Sequence, residues 1–222
     1  MAALAIVLIG GAVVYYGRGN RAPLSQREVA TQVLAEYIRK TASPKSVVVI
    51  SNPLAPQAGM TSDMSTFEKA GVAGLRKGFG SAVDLTVALP KTKGEPGSVF
   101  YDPNTRTPMS FLITDNAFEE IARENPNADV FVSLIGLPAN PASMMAIPKR
   151  FAFLLPDFRL MGDASSIRHV FKSGKVIAAV IQRPGVTAPE KVAGSDYKRE
   201  FEKRYILVTT QNVDEWLPAL LR

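Results

Sequence analysis

The residues of this chain that could do chemistry are few, and the missing ones narrow the field first. There is no cysteine, which removes disulfides, thiolate metal sites, a thiol nucleophile and lipid attachment at a thiol. His169 is the only histidine, so a multi-histidine metal centre is impossible and a Ser/His/Asp hydrolase would have to use this residue as its base. No G-x-S-x-G elbow follows an apolar run, and Ser165 and Ser166 read as helix-start residues. His169 itself falls between Ile167 and Val170 on a predicted helix and reads as structural or exposed. The phosphate-cradling G-x-x-x-x-G-K-[ST] is absent, and Gly71, Gly74, Gly78 and Gly80 belong to a helix and its end. Asp84, Asp102, Asp157 and Asp163 lie near strand or loop ends, where carboxylates can converge as acid and base, but no D-x-D or E-x-x-E spacing points to a metal. No cofactor and no metal are expected.

What remains is a set of polar residues just past apolar runs: Asn52, Asn140, Asp157 and Arg183, with a proline close to each. Proline stiffens the exit from a strand and denies the sheet another ladder bond. If the runs are parallel strands, these exits share one edge of a sheet, where open α/β sheets bind their ligands. The four form a candidate ligand-binding rim for a small hydroxylated or carboxylated solute, with Arg183 as the fork for a carboxylate. The same residues are also common turn chemistry.

The elements that would position this rim alternate. Ser25 and Glu28 form a capping box ahead of a helix to about Lys40 with Val29, Val33, Tyr37 and Ile38 on one face. Strands are expected at 46–51, 83–89, 129–137, 150–155, 176–182 and 205–209. Helices are expected at 65–77, boxed by Ser65 and Glu68 and stopped at Gly78, then at 115–124, from Pro141, at 165–173, at 195–203 and through Trp216. Residues 91–109 read as a long Gly- and Pro-rich loop. This pattern predicts an α/β fold: an open, mostly parallel sheet of about six strands with helices on both faces. No internal repeat or heptad seam competes with it.

The first 17 of the 222 residues carry no charge and are predicted to form a transmembrane anchor, with Tyr15, Tyr16, Arg18 and Arg21 at the membrane interface. Residues 18–44 then read as a basic linker and connecting helix, and 45–222 as a Rossmann-like domain. Arg18, Arg21 and Arg27 all follow the span, which favours a cytoplasmic domain, whereas a bacterial-style N-terminal anchor with a cysteine-free domain favours an extracytoplasmic, periplasmic one; the second is the expectation. The net charge of +6 comes from interspersed Lys and Arg, so nucleic acid is not an expected partner.

The stretch 67–89 (FEKAGVAGLRKGFGSAVDLTVAL), with 129–137 and 176–182, resembles one lobe of a type 1 periplasmic solute-binding protein or a related Rossmann-like receptor domain. The resemblance covers about half the chain, rests on pattern, and implies non-catalytic binding by an α/β lobe. Together with the tether and the lack of an active-site motif, it leads to a non-enzymatic, membrane-anchored accessory or binding subunit that docks on a larger membrane protein complex. The alternatives are a solute-binding receptor domain for a small polar ligand, and a small carboxylate-dependent enzyme.

Overall fold

Short runs of valine, isoleucine and phenylalanine alternate along the chain with amphipathic segments too long for strands, so each strand is followed by a helix that can cover it. The computed structural model describes residues 26–55, 62–94, 107–186 and 196–221. In chain order these form α1 (Gln26–Ala42), β1 (Ser46–Ile50), α2 (Ser62–Phe79), β2 (Asp84–Ala88), α3 (Met109–Leu112), α4 (Ala117–Glu124), β3 (Val130–Ser133), α5 (Pro141–Ala146), β4 (Arg150–Leu154), a 3-10 turn (Phe158–Met161), α6 (Ala164–Lys172), β5 (Val176–Gln182), α7 (Tyr197–Arg204), β6 (Tyr205–Thr209) and α8 (Val213–Leu220). The apolar segment 1–17, with Tyr15, Tyr16, Arg18 and Arg21, lies outside the described residues, as do Ser25 and Asp102. No described helix is long and apolar enough to cross a membrane.

The strands form one six-stranded sheet in the order β2-β1-β3-β4-β5-β6. All neighbours pair in parallel except β5 and β6, which are antiparallel. Because side chains alternate across a strand, each central strand feeds both faces. Val47, Val49, Val130, Val132, Ala152 and Leu154 point to a layer made with α1, α2 and α7. Val48, Ile50, Phe131, Phe151 and Phe153 point to the other, built with α4, α5, α6 and α8. The second layer is aromatic: Phe151 packs its ring against those of Phe118, Phe131 and Phe153 at centroid separations of 5.6–6.2 Å. The sheet is thus covered on both sides, and β2 is an edge strand with Val87 exposed.

The helix expected to connect the apolar segment to the domain is packed into the domain itself, with Leu34, Ala35 and Ile38 fully buried. It lies against α2, whose Gly71, Gly74 and Gly78 share one face by their spacing of three and four residues. A Cβ at Gly74 would overlap the Glu28 carbonyl and the Thr31 hydroxyl, and one at Gly78 would overlap the Gln32 carbonyl. Only glycine lets the two backbones approach this closely.

One capping assignment is corrected. Helix α2 starts at Ser62, so Ser65 and Glu68 lie inside it and do not box its end. The local S-x-x-E signal is overridden by a charge partner 41 residues earlier in the chain, Arg27, to which Glu68 turns.

Candidate functional site

The strand order fixes where the site must be sought. From β1 the chain steps outward to β2 and then returns across β1 to β3, so the connections leave β1 and β3 in opposite directions and a crevice opens between their carboxyl ends. Four elements converge there: the first turn of α1, the exit of β1, the second turn of α2 and the exit of β3.

A buried polar network occupies this point. The Arg27 guanidinium donates to Glu68 Oε1 at 2.5 Å and to the Leu134 carbonyl at 3.1 Å. Ser51 Oγ donates to Glu68 Oε2 at 2.6 Å, and the Asn52 backbone N–H reaches the same oxygen at 3.4 Å. Arg27, Glu68 and Ser51 are 7%, 8% and 4% exposed, so the ion pair is desolvated and its oxygens are satisfied by hydroxyl and amide donors. Burial pulls the Arg27 pKa down, and the adjacent Glu68 carboxylate opposes that shift. Arg27 Nε is buried with no hydrogen-bond partner among the described residues. The Phe67 ring, half exposed, covers the guanidinium with 4.3 Å between Cζ and the ring centroid. At the amino end of α1, Gln26 Oε1 accepts from the buried Tyr205 hydroxyl at 3.2 Å, which fixes the helix that carries Arg27 to β6.

Two further features mark the same edge. Leu155, directly past β4, has φ of 47° and a side chain 45% exposed. A branched, bulky residue in the left-handed region costs roughly 1–2 kcal/mol, and such strain gathers at functional positions. Its carbonyl approaches Gly136 on the β3 exit, which is itself left-handed at φ 82°.

The residues expected from sequence all lie along this edge, but each is engaged within the fold: three in their own turns and Arg183 with α7. Asn52 Oδ1 accepts from Leu54 N at 2.9 Å, and Asn140 caps α5 through Ala142 N. Asp157 caps the 3-10 turn and holds Arg159 in a two-pronged ion pair at 2.7 Å on both oxygens. The Arg159 hydrogen bond keeps the Asp157 carboxyl below its usual range, so it is ionised and held. Arg183 donates Nε to the Glu202 carbonyl at 3.1 Å, which ties β5 to α7. The edge brings the four into line, with β1, β3, β4 and β5 side by side, while each polar head serves the local backbone.

Other expectations resolve simply. Asp84 opens β2 at the opposite edge of the sheet from Asp157, so these carboxylates do not pair. Asp163 caps α6 by accepting from Ser166 N at 2.7 Å. His169 is exposed on α6. Among the described residues no cluster of metal-ligating side chains occurs. Arg27, counted by position with the basic flank of the apolar segment, is instead buried in the domain. Its role had one signal in the sequence: an arginine in the first turn of one helix, followed by a second helix that carries Phe-Glu near its start.

No protein-family model matches this sequence, and no curated protein does. Among solved structures, the chain is similar to an ABC transporter periplasmic solute-binding protein from Actinobacillus succinogenes with bound D-allose, at TM-score 0.48 and 12% identity over 87% of this chain and 63% of that one. It is also similar to a sugar-binding protein of a sugar ABC transporter from Bacillus halodurans, at TM-score 0.49 and 11% identity over 86% and 65% of the two chains. A third is the fructose-binding periplasmic domain of a hybrid two-component system, at TM-score 0.50 and 9% identity over 88% and 60%. The chain thus spans about three-fifths of the length of these proteins. They are of the type whose lobe the sequence resembles, and at such identities the likeness is one of fold.

Proposed function

We propose that this chain is a non-enzymatic binding domain that takes a small polar solute, such as a sugar or polyol, at the carboxyl edge of its parallel sheet. The observation that carries this reading is the switch point between β1 and β3, where the desolvated Arg27–Glu68–Ser51 network supports an exposed aromatic ring, Phe67. Aromatic faces pack on the C–H faces of sugars, and Phe67 presents such a face at the crevice. Both Asp157 oxygens are held by Arg159, which speaks against a carboxylate-dependent reaction there. No observation on the described residues favours the accessory-subunit reading over this one.

The test is a thermal-shift screen of the full chain against a panel of sugars, polyols and their acids. A binder raises Tm, and the rise grows with the logarithm of its concentration above Kd. Phe67→Ala abolishes the shift without lowering the basal Tm by more than a degree or so, about the cost of an exposed substitution. Leu155→Gly relieves backbone strain and is expected to raise basal Tm while weakening the shift. A flat response across the panel overturns the reading.

The membrane tether belongs to the same proposal and rests on the uncharged run 1–17 alone. The domain is proposed to stand on the extracytoplasmic side. Protease added to sealed cells digests it in that case, and resistance until lysis places it inside.

A further inference from the structure

The amino edge of the sheet, opposite the proposed solute face, carries a second polar groove. Basic residues stand where strands begin: Lys45 before β1, Lys149 and Arg150 at the start of β4, and Lys175 before β5. Since β4 and β5 are neighbours, the last three come together. They line a groove of about 630 Å³ whose remaining walls include His169, Tyr37 and Thr210. Among the described residues that line it there is no carboxylate.

The cations differ in how far the fold uses them. Lys149 Nζ donates to the Pro126 and Ala128 carbonyls, and Lys175 Nζ donates to the Ile147 carbonyl below the Phe151 ring. Both are fastened to loop carbonyls, and burial lowers the Lys175 pKa. The Arg150 guanidinium is exposed and makes no hydrogen bond or ion pair within the described residues. The nearby carboxylate is Asp129, which lies outside the groove lining, is tied to the Ser46 and Lys45 backbone N–H groups at 3.1 and 2.7 Å, and has its pKa lowered chiefly by those bonds, with smaller contributions from the Arg150 and Lys149 charges. Helix C-termini ending at this edge account for some positive charge. They do not account for three cations, an imidazole and several hydroxyls facing one groove of small-molecule size.

We propose that this amino-edge groove binds a phosphate-bearing ligand, with Arg150 as the two-pronged donor and Lys149 and Lys175 supplying the field. A guanidinium fork matches two phosphate oxygens, and a groove lined by one sign of charge concentrates anions. The phosphate can belong to a free sugar phosphate or to an anionic lipid headgroup. The site is independent of the carboxyl edge, so either proposal can fail alone.

His169 is the chain's sole histidine and lines the groove, so its imidazole proton signal is a built-in reporter. The full chain is placed in dodecyl maltoside micelles and titrated with ribose 5-phosphate, with ribose as control. In a parallel arm the micelles carry either phosphatidylglycerol or phosphatidylcholine. A saturable His169 shift with ribose 5-phosphate and not with ribose identifies a free phosphate ligand. A shift with phosphatidylglycerol and not with phosphatidylcholine identifies the headgroup. In either case Arg150→Glu weakens the response by about tenfold or more, the equivalent of roughly 1.4 kcal/mol, and Arg150→Gln weakens it less. No shift with either probe, equal shifts with ribose, or unchanged affinity in both Arg150 variants overturns the proposal.

Discussion

At the scale of single residues, Glu68 is where local sequence and tertiary structure part. Its spacing from Ser65 spells a helix cap, yet its carboxylate is buried and holds Arg27, Ser51 and the start of the β1 exit. Removing one member of a buried pair strands the other, so Glu68→Ala is expected to destabilise the chain by about 3–5 kcal/mol in denaturant unfolding. The double replacement Arg27→Met/Glu68→Met is expected to cost less than the sum of the two single replacements, and a loss equal to that sum would show that the two are not coupled. A second residue-scale expectation concerns alkaline pH. Burial first, and then the hydrogen bond to Glu36, pushes the Tyr197 phenol up to about 12. The folded state therefore favours the protonated form: this stabilisation is complete below the ordinary phenol range near 10 and is lost as pH rises towards about 12. Tyr197→Phe removes part of the stability decline in that window, while Tyr205, raised by its own burial, keeps the remainder.

At the scale of elements, the contact of α1 with α2 is decided by what is absent from a helix face. Gly74→Ala forces a methyl group into the Glu28 carbonyl and the Thr31 hydroxyl, and is expected to cost about 1–3 kcal/mol or more, although alanine is the better helix former. A rise in stability would mean that the helices can separate without penalty. The glycines were legible as helical residues but not as a packing face, because nothing local says which helix lies opposite. The strands were legible almost throughout, since β-branched and aromatic runs buried on both faces leave little alternative. The direction of β6 was not. Helix α7 runs into β6 with no residue between Arg204 and Tyr205, so the chain enters the strand at the carboxyl edge, opposite Gln182, and no turn at the amino edge can make it parallel. Of the candidate rim, the strand exits were legible, and the fold sets Asn52, Asn140, Asp157 and Arg183 along the carboxyl edge. The network of Arg27, Glu68 and Phe67 was not legible, because these residues belong to helices and meet only once the strand order is known.

At the scale of the whole molecule, two apolar layers on one sheet make α1 part of the core. A chain that starts at residue 25 is expected to keep one cooperative thermal transition. One that starts at residue 44 uncovers Val47, Val49, Val130 and Val132, leaves Glu68 unpaired, and is expected to lose that transition in circular dichroism. Retention of a sharp transition by the shorter chain would return α1 to the role of a connector. The placement of α1 also bears on how the protein is made. This helix leaves the ribosome before every strand it will cover, and its apolar face waits for α2, β5 and α7, the last of which is encoded more than 150 residues later. Synthesis at roughly 5–20 residues per second makes that wait several seconds or longer. The nascent chain can pair α1 with α2 early, but the side of α1 that faces the sheet stays uncovered until β5 and α7 have been made.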